Sequence, residues 1–124
     1  MARKPSSTLT DGETRLMNVL WKKGRCTIAE VIASLPRKQA GAYNTVQTMM
    51  RILETKGYVA HEQVGRAFVY HTLVDQPTAR RRALGHLMKG LFDNSPRLLL
   101  LDVLKHEHLD PAEAARLMRM IENA

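Results

Sequence analysis

The chain has 124 residues, enough for one small domain with an appendage. Its 19 Lys and Arg outnumber 12 Asp and Glu, and the formal charge of +7 favours a polyanionic partner. The single cysteine, Cys26, excludes an intramolecular disulfide and a cysteine-based zinc finger, while the longest apolar run, Leu98–Leu101, is far too short to span a bilayer.

The positive charge is uneven. Residues 1–75 hold 11 basic and 6 acidic side chains, whereas 76–124 hold 8 and 6. Met1–Ser7 is basic and polar with no apolar stretch behind it, unlike a secretory signal. The expectation is a soluble, cytoplasmic protein without membrane insertion. Arg3 and Lys4 of this tail are placed to reach a phosphate backbone.

Thr10-Asp11-Gly12-Glu13 has the spacing of a capping box, with a helix over Asp11–Lys23 that Gly24 ends. Its apolar face is Leu16, Met17, Val19, Leu20 and Trp21. Thr27-Ile28-Ala29-Glu30 repeats the box and starts a short helix that buries Ile28, Val31, Ile32 and Leu35 and stops at Pro36. Arg37–Gly41 reads as a loop. A third helix spans Ala42–Lys56. At 100° per residue, Ala42, Val46, Met49, Met50 and Leu53 share one arc, and Gly57 suits a left-handed cap.

The opposite arc carries Asn44, Gln47, Thr48, Arg51 and Thr55, with Tyr43 and Thr45 beside it. A solvated helix face normally collects Glu and Lys. Asn and Gln instead pair with adenine, Arg with guanine, and a threonine methyl touches thymine. The competing reading is an ordinary amphipathic helix with a polar outside. The adjoining segment favours recognition: Tyr58–Gln63 and Ala67–Leu73 are strand-like runs separated by Val64-Gly65-Arg66. Two helices, a turn, a third helix and a hairpin make a winged helix-turn-helix, with Arg66 at the wing tip. The expected fold class is mainly α with a small antiparallel β-hairpin.

Asp75-Gln76-Pro77 marks a boundary between a DNA-binding domain, 1–75, and a helical region, 76–124. In Thr78–Phe92 the residues Ala83, Leu84, Leu87, Met88, Leu91 and Phe92 share a face, and Arg80, Arg81 and Arg82 point elsewhere. Ser95 caps a further helix with Pro96 in its first turn. Its leucines, Leu98, Leu99, Leu100 and Leu101, surround the axis, so it needs burial on more than one side. Asp110-Pro111-Ala112-Glu113 opens a last helix with a stripe at Ala114, Leu117, Met118 and Ile121. About 50 residues of helix cannot close a core alone. A second copy of the chain is the economical cover, through Leu84, Leu87, Leu91, Leu98, Leu99, Leu101, Leu117 and Ile121.

Five separated motifs carry a resemblance: LT-x-x-E at Leu9–Glu13, LW-x-x-G at Leu20–Gly24, AYNTV-x-T at Ala42–Thr48, KGYV at Lys56–Val59 and GRAFVY at Gly65–Tyr70. In order and spacing they resemble the penicillinase repressor (BlaI/MecI) family of bacterial transcriptional regulators, over roughly residues 9–121. The resemblance implies a winged helix on a double-stranded, pseudo-palindromic DNA operator and C-terminal helices that form a homodimer. It also implies derepression through a membrane-bound metalloprotease sensor. Members switched by proteolysis carry an Asn-Phe bond in the penultimate helix, where this sequence reads Asp102-Val103. Copper-responsive relatives end in cysteine pairs, which are absent here, so a thiolate copper switch is excluded.

Other chemistry finds no motif. His61, His71, His86, His106 and His108 show no metal-ligand spacing and read as ordinary surface histidines. There is no phosphate loop or nucleophile elbow, and no cofactor or enzymatic activity is expected. Cys26 reads as a small structural residue. Two rivals to the repressor remain: a winged helix used for protein–protein assembly, and a regulator with an effector pocket between wing and dimer helices.

Overall fold

The computed structural model describes residues 8–36 and 43–123. The tail with Arg3 and Lys4, the loop at Arg37–Gly41, Ala42 and the side chain of Ile121 lie outside the described residues. Element order is α1 (Asp11–Lys23), β1 (Cys26–Thr27), α2 (Ile28–Ser34), α3 (Tyr43–Thr55), β2 (Val59–Val64), β3 (Ala67–Thr72), α4 (Gln76–Leu91), α5 (Pro96–His106) and α6 (Pro111–Glu122).

Local chemistry sets the helix starts. The Thr10 hydroxyl accepts from the Glu13 amide at 3.2 Å, and the Glu13 carboxylate accepts from the Thr10 amide at 2.8 Å. Thr27 and Glu30 repeat this at 3.2 and 3.1 Å. Each box satisfies two otherwise orphaned amides, contributing about 1 kcal/mol. Gly24 and Gly57 stop α1 and α3 at φ 87° and 84°, where a Cβ is unfavourable.

The expected antiparallel hairpin is present, and a short third strand joins it to give a sheet in the order β1-β3-β2. β1 pairs antiparallel with β3 through Cys26↔Tyr70 and Thr27↔Val69. β2 and β3 pair from Val59↔Thr72 to Val64↔Ala67. Val64 therefore belongs to the strand, and Gly65-Arg66 is a two-residue turn with Gly65 at φ 63°. Such a turn matches the right-handed twist of its strands. β1 also buries Cys26, whose thiol is pushed up by burial first and then by Glu30.

The chain forms two compact units, up to Ala83 and from Leu84. The first packs Leu16, Met17 and Leu20 of α1 with Ile28 and Val31 of α2 and Val46, Met50 and Leu53 of α3. Tyr58, Val59, Tyr70, Val74 and Ala79 complete this core. Val19, Trp21, Ile32, Leu35 and Met49 are half-buried around it, less deeply than their periodicity implies. Trp21 sits at the edge because its Nε1 donates to the Val74 carbonyl at 2.9 Å. The fourth helix starts two residues before Thr78, since the Asp75 carboxylate accepts from the Thr78 amide at 2.9 Å and admits Gln76 and Pro77 into the first turn. Its buried Ala79 belongs to the core of the first unit.

In the second unit, the turn between α4 and α5 places Asp93 and Asn94 at φ 50° and 57°. These residue types tolerate the left-handed region best among those with a Cβ. Ser95 then caps α5, accepting from the Leu98 amide at 3.1 Å, with Pro96 in the first turn.

Among the described residues, the core contains one charged pair. Lys56 Nζ donates to the Glu13 carboxylate at 2.7 Å and to the Thr8 carbonyl at 3.0 Å. The Lys56 and Glu13 side chains are 7% and 5% exposed. Burial alone raises the Glu13 carboxyl, but hydrogen bonds from Lys56 and from the Thr10 amide and hydroxyl outweigh it and hold it below the ordinary range. Removing one partner strands a buried charge, so Lys56→Met is expected to lower unfolding free energy by about 3 kcal/mol. Glu13→Gln added to Lys56→Met keeps the capping geometry without a charge and recovers most of that loss. Since the folded carboxyl titrates below its unfolded value, its contribution is complete above the ordinary glutamate range. It is lost as pH falls through the folded value. Urea unfolding at neutral and acid pH reads both effects, and an undiminished Lys56→Met midpoint overturns the assignment.

Candidate nucleic-acid interface

Core packing fixes the roll of α3. Val46, Met50 and Leu53 point inward, so Tyr43, Asn44, Thr45, Thr48, Arg51 and Thr55 are exposed and Gln47 is half-buried. Gly12 of α1 faces this helix: a Cβ there would stand 2.6 Å from the terminal methyl of Met49, a flexible side-chain end that can shift to admit it. The first turn of α3 has no acidic residue, so the positive end of its dipole is not neutralised locally. Its single carboxylate, Glu54, is near the opposite end.

The Thr48 hydroxyl donates to the Asn44 carbonyl at 2.9 Å, and Thr55 does the same to Arg51 at 3.0 Å. Each commits its proton to the backbone and retains a methyl group and acceptor lone pairs. The side chains of Asn44 and Arg51 keep the bidentate chemistry that base edges require.

The wing and α3 meet in an open cleft of about 410 Å³, lined by Thr27, Ile28 and Ala29, by Tyr43 and Gln47, and by Arg66, Ala67 and Phe68. Three residues selected from the sequence, Tyr43, Gln47 and Arg66, are thus brought together. A phenol, an amide and a guanidinium facing one cleft are donors suited to phosphate oxygens. Asn44, Thr45, Thr48 and Arg51 remain exposed on α3 outside that lining.

Phe68 and the first turn of α2 also line this cleft, and sequence reasoning does not place them there. The strand register holds the signal for Phe68. It pairs with Gln63, and Tyr70 with His61, so these residues share the sheet face that continues into buried Val59 and Tyr70. At the open end of that face Phe68 is 41% exposed. Nothing in the local sequence marks Thr27–Ala29, whose pattern is fully explained by helix capping.

His61 is also more than a surface histidine. Its ring lies 4.8 Å from Phe68 and 5.2 Å from Tyr70, centroid to centroid, and Nδ1 meets the Glu54 carboxylate at 2.5 Å. The Tyr70 phenol is raised by burial and then by Glu54, with Arg51 opposing. The wing and the last turns of α3 therefore share one electrostatic neighbourhood. No described helix is long and apolar enough to cross a membrane.

A family model described as penicillinase repressor matches residues 9–123. The chain is 26% identical over 114 residues to the penicillinase repressor of Bacillus licheniformis, covering 92% of this chain and 89% of that protein. It is 19% identical over 113 residues to the methicillin resistance regulatory protein MecI of Staphylococcus aureus strain N315, covering 91% and 92%. Among solved structures, the solution structure of the DNA binding domain of the repressor BlaI is 34% identical. That match covers 61% of this chain and 90% of that one, with a TM-score of 0.51.

Proposed function

Because the chain belongs to the penicillinase repressor family of DNA-binding transcriptional repressors, we propose that it acts as a homodimer on a pseudo-palindromic operator and occludes a promoter. The observation that carries this reading is the exposed Asn, Thr and Arg arc of α3 beside a cleft shared with the wing tip. Asn44, Gln47, Thr48 and Arg51 address base edges. Tyr43, Thr45 and Arg66 hold the phosphate backbone or the minor groove, fixing register without reading sequence.

These roles separate experimentally. Arg51→Ala should cost roughly 1–3 kcal/mol of specific affinity and relax preference at one base pair per half-site. Arg66→Ala should weaken all duplexes about equally and lower the salt slope by about one. Titration of selected and scrambled duplexes at several salt concentrations distinguishes them. An unchanged base preference in Arg51→Ala overturns the assignment of that face.

Dimerisation is supported by the second unit, in which no described residue is fully buried. Leu84, Leu87, Leu91, Leu98 and Leu101 are exposed, Leu91 by 77%, while Leu99 and Leu117 are half-buried. Leu101 and Met118 also border an apolar groove of about 320 Å³ between α5 and α6. Exposed apolar surface on this scale is characteristic of an interface. In this reading the membrane metalloprotease sensor implied by the resemblance acts through a cut between the dimer helices, which removes the dimer without touching a DNA contact. The bond at Asp102-Val103 lies inside α5, so α5 must open locally before it can enter a protease.

A truncated chain tests the assembly. The cut belongs after Ala83 and not after Asp75, because Ala79 is part of the first core. Residues 1–83 should be folded and monomeric, with operator affinity lowered by about 10²–10⁴ because the second half-site contact is no longer intramolecular. Sedimentation and operator titration of both chains read this. A full-length monomer, or a truncated chain that binds as tightly, overturns the dimer.

A further inference from the structure

The first unit holds a second pocket, of about 170 Å³, that shares no lining residue with the cleft between α3 and the wing. It lies between α1, Tyr58 and the first turns of α4, and its described walls all belong to the first unit. Leu9, Trp21, Tyr58, Ala79 and Ala83 supply the apolar part of the lining. Both aromatic rings are held in place. The Trp21 Nε1 donates to the Val74 carbonyl at 2.9 Å, and Tyr58 is 1% exposed with the Arg82 guanidinium 5.4 Å from its ring centre.

Asn18, Gln76 and Arg80 supply polar groups to the same pocket. Among the described residues, these three side chains have no hydrogen-bond or ion-pair partner. No described carboxylate lines the pocket, so the Arg80 guanidinium is not neutralised there. Arg82, at the Tyr58 ring, adds a second positive charge near this wall. A packing gap between helices is lined by apolar side chains and stays dry. Aromatic walls with a few convergent polar groups are instead the pattern of a small-molecule site.

We propose that this pocket binds a small monocyclic aromatic carboxylate. Size limits the occupant: the volume is below the roughly 300–1,000 Å³ of drug-sized sites and close to the about 150 Å³ that accepts a benzene ring. Trp21 and Tyr58 offer the ring aromatic surface, against which offset or edge-on packing is favourable. Charge selects the substituent. The Arg80 fork can hold a carboxylate through two parallel hydrogen bonds, and the Asn18 and Gln76 amides can donate to its remaining lone pairs. The site stands whether or not the chain binds DNA, because it uses no side chain assigned to base edges or phosphate.

Benzoate is the simplest ligand of this class. With about nine non-hydrogen atoms, it should bind with a Kd on the order of 0.1–1 mM. Arg80 is exposed, so water partly screens its bond to the carboxylate. Between an exposed pair and a hydrogen bond to a charged group, its contribution is about three- to tenfold in affinity.

Trp21 is the single tryptophan of the chain, so its fluorescence reports on this wall directly. The full-length chain is titrated with benzoate, with benzamide as a ring without charge, and with acetate as a charge without ring, each to about 10 mM. Benzoate should give a saturable change, benzamide should bind about three- to tenfold more weakly, and acetate should give no change. Arg80→Gln should weaken benzoate by the same factor and leave benzamide unaltered, a split that a general loss of structure does not produce. Ala83→Leu fills the pocket from an exposed position and should abolish saturable binding, with thermal midpoints showing that each variant is folded. No saturable change with benzoate, or equal binding of benzoate and benzamide, overturns the aromatic-acid site. Undiminished benzoate binding in Ala83→Leu overturns the assignment to this pocket, and neither result touches the DNA-binding reading.

Discussion

The position of α3 depends on the buried contact between Glu13 and Lys56. Glu13 already serves as the third residue of the α1 capping box, and the same carboxylate takes the Lys56 ammonium at 2.7 Å. Lys56 is the residue immediately after α3. One side chain thus starts the first helix and anchors the end of the third. An ion pair in this setting does not add much net stability, since desolvation offsets attraction. Its effect is geometric: a fixed donor and acceptor select one axial position of α3, whereas leucines and methionines alone tolerate sliding. With the end anchored by the pair and the middle by Val46 and Met50, the polar arc faces one way.

The order and most boundaries of the elements are legible in the sequence, because their causes are local. Thr-x-x-Glu spacing, glycines at positive φ and 100° periodicity place α1, α2 and α3 within a residue or two. What is not legible depends on distant partners. Glu13 and Lys56 are 43 positions apart, and neither local pattern announces the other. β1 has two residues, too short for alternation, and exists only because β3 offers a free edge beside Cys26 and Thr27. In the second unit, a helix with leucines all round needs cover by its pattern, and within one chain that cover is partial at most.

The interface divides along the same line. Asn44, Thr48 and Arg51 emerge from helical geometry, a property of consecutive residues. Phe68 and His61 do not, because their placement requires the register of two strands and the packing of a third element. Strand alternation alone counts Phe68 as a core residue. The register places it at the open end of the inner face, where the core has ended and the cleft begins. Apolar residues of this kind are hardest to classify from sequence, since one strand face can be core at one end and interface at the other.

The number of base-reading side chains bears on why one copy is insufficient under the proposed function. A good bidentate contact discriminates by about 1–3 kcal/mol, so Asn44, Gln47 and Arg51 together supply about 3–9 kcal/mol. Selecting one site against about 10⁶ competitors requires roughly 8 kcal/mol, at the upper limit of that range. Gln47 is half-buried in the cleft, which reduces its freedom to reach a base. The remaining affinity, from a basic surface of net charge +7, is shared by every sequence and cannot discriminate. Two copies double the reading surface without any new type of contact. The concentration of fully buried residues in the first unit, beside their absence among the described residues of the second, fits that arrangement. A self-sufficient core holds α3 in place, and the apolar surface of the second unit is left open.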